Sequence, residues 1–182
     1  MTIDMTRRQF LKGASLSIAI IMTPLGYRLV HAEEVGSSDF SPNVWLRLTK
    51  DGTVTIIVNK SEMGQGVTTS LPMIIADEME AEWNSIRFEM APARDAYRDP
   101  IWGAQATGGS SSIRHMYAPL RKAGAAARSM LITAAASEWQ VPASDCEAKL
   151  GKVIHRPSNR GLTFGELVDT ASRLPVPAEP PL

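Results

Sequence analysis

A long alanine-rich segment runs from Ser110 to about Trp139, and its apolar residues recur at helical spacing. The alanines give it high helix propensity, and serine at its start favours capping of free backbone N–H groups. Pro142 ends the predicted helix, whereas Pro119 lies inside it, where a kink or a break is expected. Strands and other helices are predicted on both sides of this segment. The sequence therefore predicts an α+β fold, a mixed sheet with packed helices.

The remaining elements follow from local patterns. Two β-rich runs flank Asp51-Gly52 and predict a hairpin over residues 43–49 and 53–58. The other predicted elements, in chain order, are a loop at 59–66, a helix from Val67 to about Trp83 with Pro72 near its start, a short strand at 86–90, a long loop at 91–109, a small hairpin of 147–150 and 153–156, a short helix at 163–172, and a proline-rich tail at 175–182. Loops as long as 91–109 are usually functional or disordered.

Charge and cysteine content exclude several classes of function. The chain has 19 Lys+Arg and 19 Asp+Glu, so no basic excess drives binding to nucleic acid. Its only cysteine, Cys146, excludes an intrachain disulfide and a zinc or iron–sulfur centre ligated by cysteines of this chain alone. The histidines lack metal-ligand spacing, and no metal site is predicted. A redox role therefore needs a cofactor held by other atoms, or a partner chain.

Residues 1–32 predict an export signal. Arg7 and Arg8 open the string Arg-Arg-Gln-Phe-Leu-Lys, and an apolar run follows from Gly13 to about Leu25. That run is shorter than the roughly 20 residues that span a bilayer as a helix. The paired arginines resemble the twin-arginine export signal; a basic amphipathic helix is the alternative. This route carries folded, cofactor-loaded proteins, so we expect a periplasmic protein with a cofactor.

Two loops rich in small residues carry the chemical information. One is Glu62-Met63-Gly64-Gln65-Gly66, and the other is Thr107-Gly108-Gly109-Ser110-Ser111-Ser112. Each opens a predicted helix, where unpaired N–H groups and the helix dipole favour an anion. A tight turn with a helix cap explains either loop alone, whereas two such loops in one domain suggest a ligand with more than one phosphate. The nearby acidic side chains are interpreted as solvated charges: Glu62, Asp77, Glu78, Glu80 and Glu82.

The two loops together with Ala76-Asp77-Glu78 resemble the molybdopterin-binding region of the xanthine oxidase type of molybdenum hydroxylases. The similarity covers about residues 40–180 and points to the N-terminal portion of the large (beta) subunit of the isoquinoline 1-oxidoreductase and periplasmic aldehyde dehydrogenase type. It implies part of a molybdopterin-binding domain at 42–174. The residue patterns independently predict a twin-arginine signal peptide at 1–32, a linker at 33–41 and the tail at 175–182.

The resemblance also implies a site and partners. It assigns cofactor contacts to Gln65, Gly109, Ser110, Ser111 and Ser112, with Gly64 and Gly66 shaping the turn. The implied cofactor is molybdopterin, expected in its cytosine dinucleotide form, with 2Fe-2S clusters on a small partner subunit.

The expected function is the oxidation of aldehydes or N-heterocycles with water-derived oxygen, by a complex containing the remaining large-subunit domains; a c-type cytochrome is a further candidate partner. No match to the family's catalytic glutamate is found, so we expect the isolated chain to be inactive. The alternative function is a non-catalytic, exported phosphate-ligand-binding or assembly module.

Overall fold

The computed structural model describes residues 16–23, 26–31 and 44–182. Within them the chain forms two sheets and three α-helices. The strands are β1 Leu16–Thr23, β2 Gly26–His31, β3 Val44–Leu48, β4 Val54–Val58, β5 Ile86–Met90, β6 Cys146–Lys149, β7 Lys152–His155 and β8 Arg160–Thr163. The helices are α1 Val67–Met79, α2 Ser111–Trp139 and α3 Phe164–Ala171. The α+β prediction is therefore confirmed.

The larger sheet has the order β2-β1-β3-β4-β5, and its centre is the predicted hairpin. β3 and β4 pair antiparallel, with Leu48 opposite Val54, and Gly52 in the turn has a φ of 83°, which glycine adopts readily. β4 pairs parallel with β5 through α1 as the crossover, and all five residues of β4 are buried. Ile56, Leu71 and Leu131 thus share one core between this sheet and the helices.

The two long helices pack against each other closely. α1 ends at Met79 rather than near Trp83, because Glu80 turns into the left-handed region with a φ of 58° and bonds back to the last turn. α2 runs without a break through Pro119. A Cβ atom at Gly124 would lie 2.8 Å from the Ile75 carbonyl oxygen, so only glycine allows this spacing of the two backbones.

The C-terminal part forms a second sheet. The predicted small hairpin is confirmed as β6 and β7, and β8 pairs with the other edge of β7. The sequence analysis missed β8 because it is a short strand with a charged residue and a glycine. Thr163 and Glu166 form a capping box at the start of α3. The proline-rich tail lies along α2, because Lys122 donates to Glu179 and Arg128 donates to the Pro181 carbonyl.

β1 and β2 fall inside the segment that the sequence predicts as an export signal. Arg7, Arg8 and the predicted linker at 33–41 lie outside the described residues. No helix among the described residues combines the length and the apolarity needed to cross a membrane. The export signal stays a prediction.

Candidate functional site

The two loops singled out in the sequence lie next to each other. The loop of residues 61–66, named here the first loop, leads into α1, and the loop of residues 107–110, the second loop, leads into α2. The Ser61 backbone N–H donates to Thr107 Oγ1 at 2.8 Å, which joins the loops directly. Two helix N-termini therefore open onto the same region of the surface.

Glu62 organises the first loop from within. One carboxylate oxygen accepts hydrogen bonds from the backbone N–H groups of Gly64 and Gly66, both at 2.9 Å. The other accepts from the Thr68 N–H and hydroxyl, both at 3.0 Å. These bonds lower the pKa of Glu62 from 4.5 to about 2, the Thr68 and Gly66 N–H groups contributing most. Glu62 is an exposed loop charge, as predicted, but its carboxylate is also bonded to the backbone of its own loop, which the sequence did not indicate.

This geometry changes the expected role of the first loop. Two N–H groups at the start of α1, those of Gly66 and Thr68, are already bonded to the protein's own carboxylate. Gly64 and Gly66 have φ values of 94° and 79°, so both glycines are needed for the turn itself. The first loop consequently offers a ligand its side chains and carbonyl groups rather than an empty anion cradle.

Gln65 is exposed but already held in place. Its Nε2 donates to the Ser61 carbonyl, and its Oε1 accepts from the Met63 N–H, both at 2.7 Å. The amide thereby lies beside Ser61, whose own N–H reaches the second loop. The amide oxygen Oε1 can accept one more hydrogen bond, and Nε2 has a second proton to donate.

The second loop leaves its helix N-terminus open. Gly109 and Ser110 have φ values of 53° and 54°, two consecutive left-handed residues. The prediction that serine caps this helix is wrong for Ser110, whose side chain makes no cap bond. Capping serines normally have extended backbone angles, and the left-handed conformation here differs from that geometry. Within the part of the chain that the structure describes, no acidic side chain lies in the first turn of α2 or caps it, whereas Glu62 bonds the N–H groups of Gly66 and Thr68 at the start of α1.

The three serines differ in exposure. Ser110 is exposed and Ser112 is half-buried, so both residues lie at or near the surface at the start of α2. Ser111 is fully buried, and its Oγ lies 3.4 Å from Lys60 Nζ. The structure therefore places Ser110 and Ser112 where a ligand can reach them, and Ser111 beneath them. Ligand contact by these residues stays a prediction.

Sequence reasoning missed a buried polar network beneath the loops. Lys60 Nζ donates to Asp99 Oδ2 at 2.5 Å, and both side chains have no exposed surface. His115 Nδ1 lies 2.8 Å from each carboxylate oxygen of Asp99. Burial opposes ionisation of Asp99, but hydrogen bonds from Lys60, the loop N–H groups and His115 prevail and lower its pKa to about 2.

Of the Lys60–Asp99 pair, only Lys60 has a recognisable signal in the sequence. Lys60 follows the apolar strand β4 by two positions, and a charge there is unusual for a buried segment. Its partner Asp99 lies 39 residues further along, in a loop without periodicity. Their contact is set by tertiary structure, which no local pattern encodes.

The other acidic residues divide into two groups. Asp77, Glu80 and Glu82 are exposed, as predicted. Glu78 is buried and was misinterpreted, because it pairs with Arg121 at 2.7 Å and Arg128 at 3.1 Å across the interface of α1 and α2. Within the described part of the chain, no group of three or more His, Cys, Asp or Glu side chains is placed to hold a metal ion.

Replacing Glu62 by glutamine is expected to loosen the first loop. The amide keeps the volume but loses the charge that strengthens its bonds to N–H groups. Because the pKa of Glu62 is lowered to about 2, the stabilisation is complete above its ordinary value of 4.5 and is lost as the pH falls towards 2. NMR shifts of the Gly64 and Thr68 amide protons measure this change. The exposed Glu80→Gln is the control, and identical spectra for both variants would contradict the prediction.

Comparisons with known sequences identify a family. A family model described as a molybdopterin cofactor-binding domain matches residues 2–181. The chain is 39% identical to the isoquinoline 1-oxidoreductase subunit beta of Brevundimonas diminuta over 92% of its own length and 22% of that protein. It is 33% identical to the membrane-bound aldehyde dehydrogenase [pyrroloquinoline-quinone] of Gluconacetobacter polyoxogenes, over 73% of this chain and 16% of that one.

Solved structures show the same fold. A Cu,Mo-CO dehydrogenase aligns over 89% of this chain and 20% of its own, with a TM-score of 0.54 and 21% identity. The quinoline 2-oxidoreductase of Pseudomonas putida 86 aligns over 68% of this chain and 15% of its own, with a TM-score of 0.53 and 19% identity. The chain thus spans about a fifth of the length of these proteins.

Proposed function

Since this chain belongs to the molybdopterin cofactor-binding domain family, we propose that its two loops form the part of a molybdenum-dependent oxidoreductase that holds the phosphate and pterin side of the cofactor. The observation that carries the proposal is the open N-terminus of α2 beside Gln65. Ser110 and Ser112 would supply hydroxyl donors there, together with the N–H groups and dipole of the helix.

The residues present fit such a group. A phosphate needs several hydrogen-bond donors and no carboxylate that competes for them. The start of α2 offers such donors, and no carboxylate of the described residues caps it. The first loop, whose N–H groups are bonded to Glu62, fits the polar edge of a pterin better than a phosphate. Gln65 would hold that edge through its amide, which can donate and accept at once. In this proposal the second loop binds the phosphate, and the first loop orients the pterin.

We further propose the activity of the complete protein. When bound, the molybdenum cofactor supplies a redox centre for transfer of water-derived oxygen to an aldehyde or an N-heterocycle. The names of the relatives support this class of substrate for those proteins. In this proposal the cofactor carries cytosine dinucleotide, the 2Fe-2S clusters lie on a small partner subunit, and a c-type cytochrome is a candidate acceptor. We expect these 182 residues alone to be inactive, because no match to the family's catalytic glutamate is found among them.

Cofactor analysis of the purified complex tests the proposal. We expect near-stoichiometric molybdenum and a pterin released with it when the complex is isolated through this chain. Pyrroloquinoline quinone is measured in the same sample, because one relative carries that cofactor in its name. Finding the quinone, or neither molybdenum nor pterin, would contradict the proposed function.

Export by the twin-arginine route is proposed on the sequence of residues 7–12. Replacing Arg7 and Arg8 together by lysine keeps the positive charge but removes the guanidinium groups that define this signal. We expect the protein to remain in the cytoplasm, measured as the fraction in periplasmic extracts. Arg28→Lys is the matched control. An unchanged periplasmic fraction of the double variant would refute this route.

A further inference from the structure

Lys60, Asp99 and His115 form a network that we call the loop hub. The ammonium group of Lys60 and the carboxylate of Asp99 are completely buried and 2.5 Å apart. His115 approaches the same carboxylate from α2, with 8% of its side chain exposed. One carboxylate therefore joins the end of β4, the loop of residues 91–109 and the first turns of α2.

The hub also holds the backbone of the segment that leads into the second loop. Asp99 Oδ1 accepts hydrogen bonds from the N–H groups of Ile101 and Trp102 at 2.9 and 3.0 Å. Lys60 Nζ donates to the Ala106 carbonyl at 2.9 Å. Lys60 immediately precedes the first loop, and Ala106 immediately precedes the second, so this bond joins the residues at which both loops begin.

Trp102 extends this arrangement to the surface. Its ring meets the His115 ring edge to face, with centroids 5.3 Å apart, and Lys60 Nζ lies 5.3 Å from the Trp102 ring centroid. A Cβ atom at Gly109 would be 3.6 Å from the same indole. The left-handed turn that precedes Ser110 thus rests on a side chain that the hub holds.

Stability alone does not account for a buried ion pair of this kind. Removing both charges from water is costly, and well-packed apolar residues of similar volume are often equally stable or more so. The ion pair therefore needs an explanation other than stability, and the segments that it contacts supply one. Among the described residues, the side-chain hydrogen bonds of Lys60 and Asp99 end on each other, on the segment before the second loop and on the start of α2.

We propose that Lys60, Asp99 and His115 are positioning residues, which fix the second loop against the first so that Ser110, Ser112 and Gln65 converge on one ligand. This inference rests on the proposed function for the identity of the ligand. The positioning itself is independent of it and can be measured without a cofactor.

Asp99 suits this role because it stays charged. Its pKa is lowered to about 2, so the carboxylate is ionised throughout the physiological range. The groups that face it are Lys60, His115 and the two loop N–H groups. Asp99 is thus a permanently charged acceptor surrounded by hydrogen-bond donors, and its charge does not change with pH in this range.

The decisive variant is Lys60→Met combined with Asp99→Asn in the full chain. It removes both charges together, so no unpaired buried charge remains. We expect a melting temperature close to that of the unaltered protein, while amide hydrogen exchange of residues 101–112 rises roughly tenfold or more. Exchange in the middle of α2, residues 123–136, should not change. Lys50→Met with Asp169→Asn removes an exposed ion pair of 2.7 Å and is the matched control.

His115→Phe provides a second variant in case the double variant does not fold. It keeps an aromatic ring against Trp102 but removes the contact to Asp99, so a smaller rise in exchange of the same residues is expected. Unchanged exchange in the folded hub variants would overturn the inference.

Molybdenum retention on purification through this chain is measured in parallel. A loss in the hub variants at unchanged melting temperature supports positioning for the ligand, and full retention despite faster exchange overturns it. Absence of molybdenum from the unaltered protein would instead refute the proposed function, while exchange still decides whether the hub positions the loops.

Discussion

Replacing Gly165 by alanine is expected to lower the free energy of unfolding by roughly 3 kcal/mol, at the upper end of overpacking effects. A Cβ atom at this position would overlap the Lys50 carbonyl oxygen and lie 3.0 Å from the Gly52 nitrogen. All of these atoms belong to the backbone of the β3–β4 turn, so no flexible side chain can move aside. The first turn of α3 must therefore shift away from the hairpin.

Denaturant unfolding followed by circular dichroism measures this loss. Gly161→Ala is the matched control, because its Cβ would meet the Val153 carbonyl at an ordinary 3.5 Å and its φ is not positive. We expect the control to change the unfolding midpoint little. Equal midpoints for the two variants would show that α3 and the turn can separate without cost.

This contact also shows where sequence reasoning ends. The Asp51-Gly52 turn was predicted because its residues alone specify it, and the capping box of Thr163 and Glu166 is equally local. That the turn packs on the first turn of α3 involves residues more than a hundred positions apart. No periodicity or propensity encodes that contact, so the need for glycine at position 165 became clear only from the structure.

The same distinction runs through the candidate site. Both loops were found because glycine and serine at a helix start form a local signal, and the resemblance named their cofactor. Glu78 was misinterpreted and the bonds of Glu62 were missed, since a carboxylate looks the same in the sequence whether it is solvated or bonded. The six atoms that bind Glu62 or Glu78 follow from the path of the backbone and from the packing of α1 on α2.

These two carboxylates explain why the loops are not equivalent. Glu62 supplies a permanent anion at the start of α1, and Glu78 pairs with arginines that α2 directs towards α1. Near the start of α2, the Asp99 carboxylate instead lies beneath the surface and bonds to Lys60. A ligand anion therefore meets less repulsion at the second loop than at the first, and the serines lie where that anion would bind.

Removing the two accessible hydroxyls, as Ser110→Ala with Ser112→Ala, is accordingly expected to weaken cofactor binding strongly. A hydrogen bond to a charged group contributes about 1.5–3 kcal/mol, so the loss of two would lower affinity by about a hundredfold or more. The fold should be retained, because Ser110 is exposed and does not cap α2. The readout is the molybdenum and pterin that stay with the protein through dilution, beside the melting temperature.

Two further serine variants separate ligand contact from general effects on α2. Ser137→Ala changes an exposed serine near the other end of the same helix and should retain the full cofactor content. Ser111→Ala removes a buried hydroxyl that faces Lys60, so its effect should follow the loop hub and appear as faster amide exchange of the second loop. The Ser110→Ala and Ser112→Ala double variant removes both hydroxyl donors and leaves the helix N-terminus intact. Normal cofactor content in this variant would therefore show that these hydroxyls do not hold the phosphate.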